Sequence, residues 1–332
     1  MERRHNQFVG ISLWEKLLAD SDFSSPFQTP DFYHACNSVE GFSADVFAIE
    51  ESGIYQALMV VTVQKERGIP GYFSRRGIIY GGPLLRGDPK SLRSLLDWVN
   101  EYYEKKLIYL ETRNLFDYGP YRVVYDACRW NYEPWLNVRN PLMNASMETI
   151  MARFNYSRRR EIRQSLAEGA VWSEVRSGEE MDRVYEILSQ LYRTRVKLPL
   201  PSREFFVELW QNAIMKVFAV MHNGNIIGGA FCPVQNGKAV YTMYYCGERN
   251  YHPRIFPTHL AILAAMEYGL KTGCRYLDFM GAGRPDREYG VRTYKLEFGG
   301  DMVEEGRFLR ILDPFLYRLG KLGLTVLSKF GK

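Results

Sequence analysis

The chain has 332 residues, 46% of them apolar and 24% charged, with 28 Gly and 15 Pro. That composition excludes wholesale disorder and collagen-like or Pro-rich scaffolds, and the length suits two domains of about 150 residues or one large one. The formal charge is +5, and the stretch Arg307 to Lys332 carries six basic residues against one acid, so residues 1–306 are neutral overall. An evenly basic protein that coats nucleic acid is therefore excluded.

The five cysteines (36, 128, 232, 246, 274) are odd in number and show no CxxC spacing, which argues against a disulfide framework or a structural zinc site. The five histidines form no HExxH-type cluster, so no metal is expected. No signal-length apolar run follows the first residues, and no stretch of about 18 apolar residues could span a bilayer. The chain reads as cytoplasmic.

In chain order, a short helix is expected over 31–37, then strands over 46–50 and 56–64 joined at Ser52-Gly53. GIIYGGPLL (77–85) reads as a strand broken by a turn. Residues 90–106 read as a helix with Leu92, Leu95, Leu96, Val99 and Tyr103 on one side, and 107–113 as a strand. A strand near 133–138 precedes a boundary at about Asn140-Pro141. A helical region (146–168), a strand (170–175) and a helix opened by the capping box Ser177-x-x-Glu180 follow. After a helix to about 212 come strands over 216–221, 226–234 and 239–246, with Asn-Gly turns between them. A helix over 257–272 starts at Pro and ends before Gly273, and 275–279 is a strand. Residues 56–113 and 226–279 repeat one order: strands, a helix, then a strand Tyr-Leu-Glu or Tyr-Leu-Asp. A duplicated α+β unit is expected, over 1–142 and 143–306, with a separate segment 307–332. A dinucleotide fold is excluded, because no GxGxxG turn follows a first strand.

Four segments could carry chemistry. In YLDFMGAGRPDREYGVRTYKLEFGG (276–300), a strand ending in Asp278 runs into a Gly-rich loop with Arg284, Asp286, Arg287, Glu288 and Arg292, then Tyr289-Gly290. A short strand is expected to follow, with Tyr294 and Leu296 on one face and Lys295 on the other. Lys295 there either stabilises negative charge on a ligand or faces solvent. RFNYSRRREIR (153–163) holds five arginines and one acid; with Ser157 as a cap, Arg158, Arg159 and Arg160 would open a helix as a phosphate site, or form a solvated basic face. From Phe308 on, apolar residues recur every three or four positions among Arg310, Arg318, Lys321 and Lys329, so that a helix there either rests on an anionic membrane or packs on the protein. Glu111 and Arg113 share a strand face, as a local ion pair or as part of a binding site.

The basic helix, the helix and strand HLAILAAMEYGLKTGCRYLDF and the closing YGVRTYKLEFGG, echoed by GGPLL and YLETR, resemble the Fem family of aminoacyltransferases, which build peptidoglycan interpeptide bridges, and the wider group of FemAB-related and BioF2-like acetyltransferase domains. The resemblance spans nearly the whole chain. It implies an α+β fold of tandem GNAT-like (acyl-CoA N-acyltransferase-like) domains with mixed central sheets flanked by helices. It implies transfer of an amino acid from aminoacyl-tRNA, or of an acyl group from an acyl-CoA thioester, to an amine of a phosphate-bearing cell-wall or glycan precursor, with no tightly bound cofactor.

On these grounds Lys295, Asp278 and Glu111 are the candidate catalytic residues. Arg158, Arg159, Arg160, Tyr294, Arg292, Tyr289 and Arg113 are the candidate substrate contacts. Two departures stand out. The chain has no room for the long helical arm of many Fem proteins. Arg254 to His259, where single-domain acetyltransferases carry a glycine-rich pyrophosphate loop, has no glycine. The rival readings are an N-acyltransferase with a thioester donor in envelope polysaccharide or lipid synthesis, and a non-catalytic protein that binds a precursor or the inner membrane face.

Overall fold

The computed structural model describes residues 1–64 and 75–321. The chain divides into two compact units, Met1–Pro134 with the chain from Glu305 on, and Trp135–Glu304.

The sheet of the first unit has β1 (Glu2–His5), β2 (Phe42–Glu51), β3 (Ile54–Gln64), β4 (Arg76–Gly81), β5 (Leu84–Leu85), β6 (Tyr109–Asn114), β7 (Asn131–Glu133) and β16 (Arg307–Ile311). Its order is β1-β2-β3-β4-β6-β16-β7, with β5 on β3. Ser52 and Gly53 both take positive φ (52° and 74°), as a two-residue hairpin between β2 and β3 needs. β4 and β6 are parallel, so a crossover must join them, and the Pro89–Tyr103 helix supplies it. Asp88 caps this helix, and the expected stripe Leu92, Leu95, Leu96, Val99 and Tyr103 is its buried side. That stripe packs in one core with Phe47, Ile49, Ala57, Met59 and Val61 of β2 and β3.

The second unit repeats the plan with β8 (Leu136–Pro141), β9 (Val171–Glu174), β10 (Met215–His222), β11 (Asn225–Gln235), β12 (Ala239–Tyr241), β13 (Tyr244–Gly247), β14 (Tyr276–Asp278) and β15 (Asp301–Glu304). The order is β15-β8-β14-β12-β11-β10-β9. The parallel pair is β12/β14, and the Pro257–Lys271 helix makes the crossover, buried along most of its length against β10 and β11. The duplicated α+β architecture is thus present, with two mixed sheets flanked by helices.

Several elements differ from the sequence reading. The single strand expected over 239–246 is two: β12 pairs with β11 and β14, whereas β13 stays on β11 alone, so β13 and β14 diverge beyond Tyr241 and Asp278. The helical region 146–168 is two helices, Met147–Arg153 and Tyr156–Ala167, and the cap of the second is Asn155, not Ser157. Lys295 lies on a helix, Gly290–Leu296, rather than a strand. Arg307–Ile311 is strand β16 rather than the start of an amphipathic helix, because Phe308 stacks on Tyr125 at 3.7 Å inside the first unit. Residues 322–332 of that expected helix lie outside the described residues. The boundary falls at Pro134, because β8 pairs with β14 and β15 of the second sheet.

Candidate functional site

Where β13 leaves β14, the second unit places Lys295 against the loop after β14. The ammonium donates to the carbonyls of Phe279 (2.7 Å) and Gly281. An ammonium has three donors, and those are its two acceptors among the described residues, so one N–H stays available. Lys295 is only 6% exposed. Burial pulls its pKa down to about 8, although the Asp278 carboxylate works in the opposite direction.

The loop that receives Lys295 is built by its neighbours. Asp278 is fully buried and accepts from Asn137 Nδ2 (2.6 Å), Arg139 Nε (2.8 Å) and the Met280 amide (2.7 Å). Asn137 and Arg139 share one face of β8, and Asn137 Oδ1 also accepts from the Gly281 amide. Met280 is held at φ +54° and Gly281 at +107°, a backbone that these bonds secure. Arg292 donates to the carbonyls of Arg284 and Arg287, so it pins the far half of the loop. Asp278 and Arg292 therefore position the loop. A carboxylate with no exposed surface cannot meet an acceptor amine. Tyr289 occupies the N-cap position of the Gly290–Leu296 helix without a side-chain capping bond, is 44% exposed and packs against Gly283.

The basic helix contributes one buried arginine. Arg158 forms ion pairs with Glu161 (2.9 Å) and Glu297, lies against the His259 ring and stands over the rings of Tyr294 (4.8 Å) and Phe298 (5.3 Å). Burial and the Arg158 charge push the pKa of His259 down to about 3. Tyr294 stacks with Tyr245 of β13 at 6.2 Å, its hydroxyl is buried with no hydrogen-bond partner among the described residues, and burial pushes its phenol well above the usual range. Arg159 donates to the Ala152 carbonyl (3.2 Å) on the surface, and Arg160 is exposed. The three arginines thus do not form one anion cradle: Arg158 is internal, and the other two face outward.

Beside these residues is a cavity of about 640 Å³ lined by Gly247, Arg249, His252, Phe256, Thr258 and His259 at the start of the Pro257–Lys271 helix. A pyrophosphate cradle needs unengaged amides. The amides of Arg254 and Ile255 bond to His252, that of Phe256 to Ser165 Oγ, and those of His259 and Leu260 to the Phe256 carbonyl; Pro257 has none. Thr258 alone in 254–260 keeps its N–H. Residues 254–260 thus do not make a glycine-rich pyrophosphate loop, whereas the amides of Arg249, Asn250 and His252 on the same cavity donate no hydrogen bond among the described residues.

In the first unit, Glu111 accepts from Arg113 Nε (2.8 Å) and from Arg307 Nη1 (2.9 Å) across the β6/β16 pair. Burial pushes its carboxyl pKa up, but the guanidinium charges of Arg307 and Arg113 outweigh that and hold it below the usual range. Arg113 also stands over Tyr80, at 5.4 Å from the ring. The ion pair expected at Glu111 and Arg113 forms, and Arg307 extends it.

Sequence reasoning missed Asn137, Arg139, His259, Glu297 and Arg307. The alternation in LNVRNP was the available signal for the first two, since it puts a polar pair on one strand face. The other three reach their partners only through tertiary packing. All five cysteines are buried and free. Among the described residues no helix is long and apolar enough to cross a membrane.

A family model described as an acetyltransferase (GNAT) domain matches residues 152–296. No curated protein matches the chain. Among solved structures, FemX is 15% identical, with 96% of this chain and 99% of that one covered and a TM-score of 0.73. L-PGS from Bacillus licheniformis is 12% identical over 94% and 96%, TM-score 0.60. A tandem GNAT protein from the clavulanic acid biosynthesis pathway is 12% identical over 94% and 99%, TM-score 0.58. With two mixed sheets that each carry a helix crossover to a parallel strand, the chain has a tandem GNAT-like α+β fold.

Proposed function

We propose that this protein is an acyltransferase that moves an aminoacyl or acyl group to an amine of a phosphate-bearing cell-envelope precursor, of the peptidoglycan-bridge type. The observation that carries the reading is Lys295: a buried ammonium, fixed by two carbonyls, with one N–H left for a ligand. As the neutral acceptor amine attacks the donor carbonyl, charge develops on oxygen, and that N–H stabilises it. The Gly290–Leu296 helix and the loop after β14 hold the ammonium in place before reaction. No covalent enzyme intermediate is needed, since the amine attacks directly, the carbonyl–oxygen or carbonyl–sulfur bond breaks, and the carrier leaves with its electron pair and takes up the proton shed by the amine.

The absence of glycine from 254–259 supports an ester donor, aminoacyl-tRNA, over a coenzyme A thioester. Arg159 and Arg160 suit contacts with donor or precursor phosphates. Such a reaction belongs in the cytoplasm, near the inner membrane face if the precursor is lipid-linked. The described part of the C-terminal segment exposes Phe315 and Leu319 beside Arg318, which fits contact with anionic lipid there.

The test is transfer of radiolabel to extracted cell-wall precursors, with charged bulk tRNA and labelled acetyl-CoA supplied in parallel. Ribonuclease-sensitive label on a muramyl peptide is the expected result. Label from acetyl-CoA alone would replace it with a thioester-dependent N-acyltransferase. Unchanged turnover in Lys295→Ala would remove the role given to Lys295.

A further inference from the structure

After the Gly178–Leu191 helix the chain of the second unit makes a π-type turn, Tyr192–Val196, closed by the Lys197 amide donating to the Tyr192 carbonyl at 2.8 Å. Lys197 takes a left-handed φ of +54°. Both ends of the following segment are fixed. The Tyr192 ring packs edge-on against Tyr244 at 5.8 Å, and the Tyr185 hydroxyl donates to the Pro201 carbonyl at 3.0 Å. Between these anchors residues 193–199 are all exposed.

The exposed stretch reads RTRVKLP. It contains three basic residues and no acid, and Arg193 and Arg195 have no ion-pair partner among the described residues. Val196 is 37% exposed and Leu198 62%. An anchored tip that mixes basic and aliphatic side chains suits one kind of surface best. Phospholipid headgroups meet the cations while the aliphatic groups enter the acyl boundary. A nucleic-acid backbone would use the cations and leave Val196 and Leu198 in water.

We propose that residues 193–198 are a docking tip for an anionic phospholipid surface. This does not rest on the transferase reading, because vesicle binding requires no turnover. Each basic residue at such a surface contributes about fivefold in partitioning, so Arg193 and Arg195 together contribute roughly twenty-five-fold at physiological salt.

The experiment is co-sedimentation of the full chain with phosphatidylcholine vesicles, with and without phosphatidylglycerol, with thermal melts as the control for folding. The wild type is expected to partition onto the anionic vesicles only. R193Q/R195Q/K197Q should lose most of that partitioning, and V196S/L198S should lose several-fold while keeping the salt dependence. The proposal is overturned if the wild type does not bind, or if both variants bind like the wild type. It is also overturned if only the charge variant loses binding, which would assign the tip to a polyanion such as RNA. If the triple variant does not fold, L198S alone decides the matter by the same readout.

Discussion

Burial removes most of the hydration of the Lys295 ammonium, and two backbone carbonyls replace only part of it. That is why its pKa falls to about 8 even with Asp278 nearby. Below that pH the group is the ammonium that the oxyanion needs, and above it the neutral amine. Turnover should therefore fall as pH rises through about 8. Lys295→Arg, which stays charged, should abolish that basic limb, and Lys295→Met should lower kcat by about 10²–10³ below pH 8 and by progressively less above it. A pH–rate profile of the three proteins checks this; a limb that persists in the arginine variant would assign it to another group. His259 gives a separate readout, in stability. Its pKa is about 3 when folded, below the ordinary histidine value, because of burial and Arg158. Between pH 6.5 and 3 the unfolded chain thus binds a proton that the native state refuses. The contribution is fully present above about pH 6.5 and is lost as pH falls toward 3, amounting to roughly 4 kcal/mol at pH 3. His259→Asn should flatten this part of the stability curve in urea titrations from pH 7 to 4.

At the scale of elements, the second unit shows what a sequence pattern can and cannot reveal. The Pro257–Lys271 helix, its Pro start and the strand after it were all legible, because each is set by residues adjacent in the chain. The helix that bears Lys295 was not. Its seven residues, GVRTYKL, contain β-branched and aromatic types that suit a strand equally well, and neither period can be established over so short a run. Tertiary bonds decide it: Arg292 reaches back to the loop, and Lys295 to the carbonyls after β14. The split at Phe154-Asn155 was likewise hidden. The Asn155 amide donates to the Glu297 carbonyl, and Gly299 packs against the Arg153 backbone. This contact makes Gly299 a sensitive position. Its φ is +70°, and a Cβ there would lie 2.3 Å from the Arg153 carbonyl oxygen, which backbone cannot easily yield. Gly299→Ala should destabilise by at least about 2 kcal/mol, well beyond the ordinary cost of a positive-φ alanine. Gly273→Ala, at φ +69° with open space around it, is the control for the φ effect alone. Equal midpoints for the two variants in denaturant would show that the close approach contributes nothing.

On the scale of the whole molecule, composition and the repeated strand–helix–strand order were enough to reveal two α+β units. They could not reveal that the chain returns to the first sheet after completing the second unit. Nothing in RFLRI distinguishes a strand from one turn of amphipathic helix, and only the slot between β6 and β7 selects the strand. β16 pairs there with both neighbours, Phe308 fills the space beside Tyr125 and Tyr132, and Arg307 joins Glu111. Fragments cut as continuous stretches of chain should therefore behave unequally. Residues 1–134 alone would lack β16, leaving β6 and β7 unpaired with each other and the Phe308 socket open, whereas 135–304 retains all eight strands of its sheet. A cut at 142/143 would also remove β8 from the second sheet, and with it Asn137 and Arg139, the partners of Asp278. The expected outcome is a cooperative thermal transition for 135–304, none for 1–134 or 143–306, and restoration of one for 1–134 when residues 305–321 are fused to its C-terminus through a flexible linker. Circular dichroism melts of the four fragments check it. A cooperative transition in 1–134 alone would show that β16 is an accessory strand rather than a required part of the first sheet.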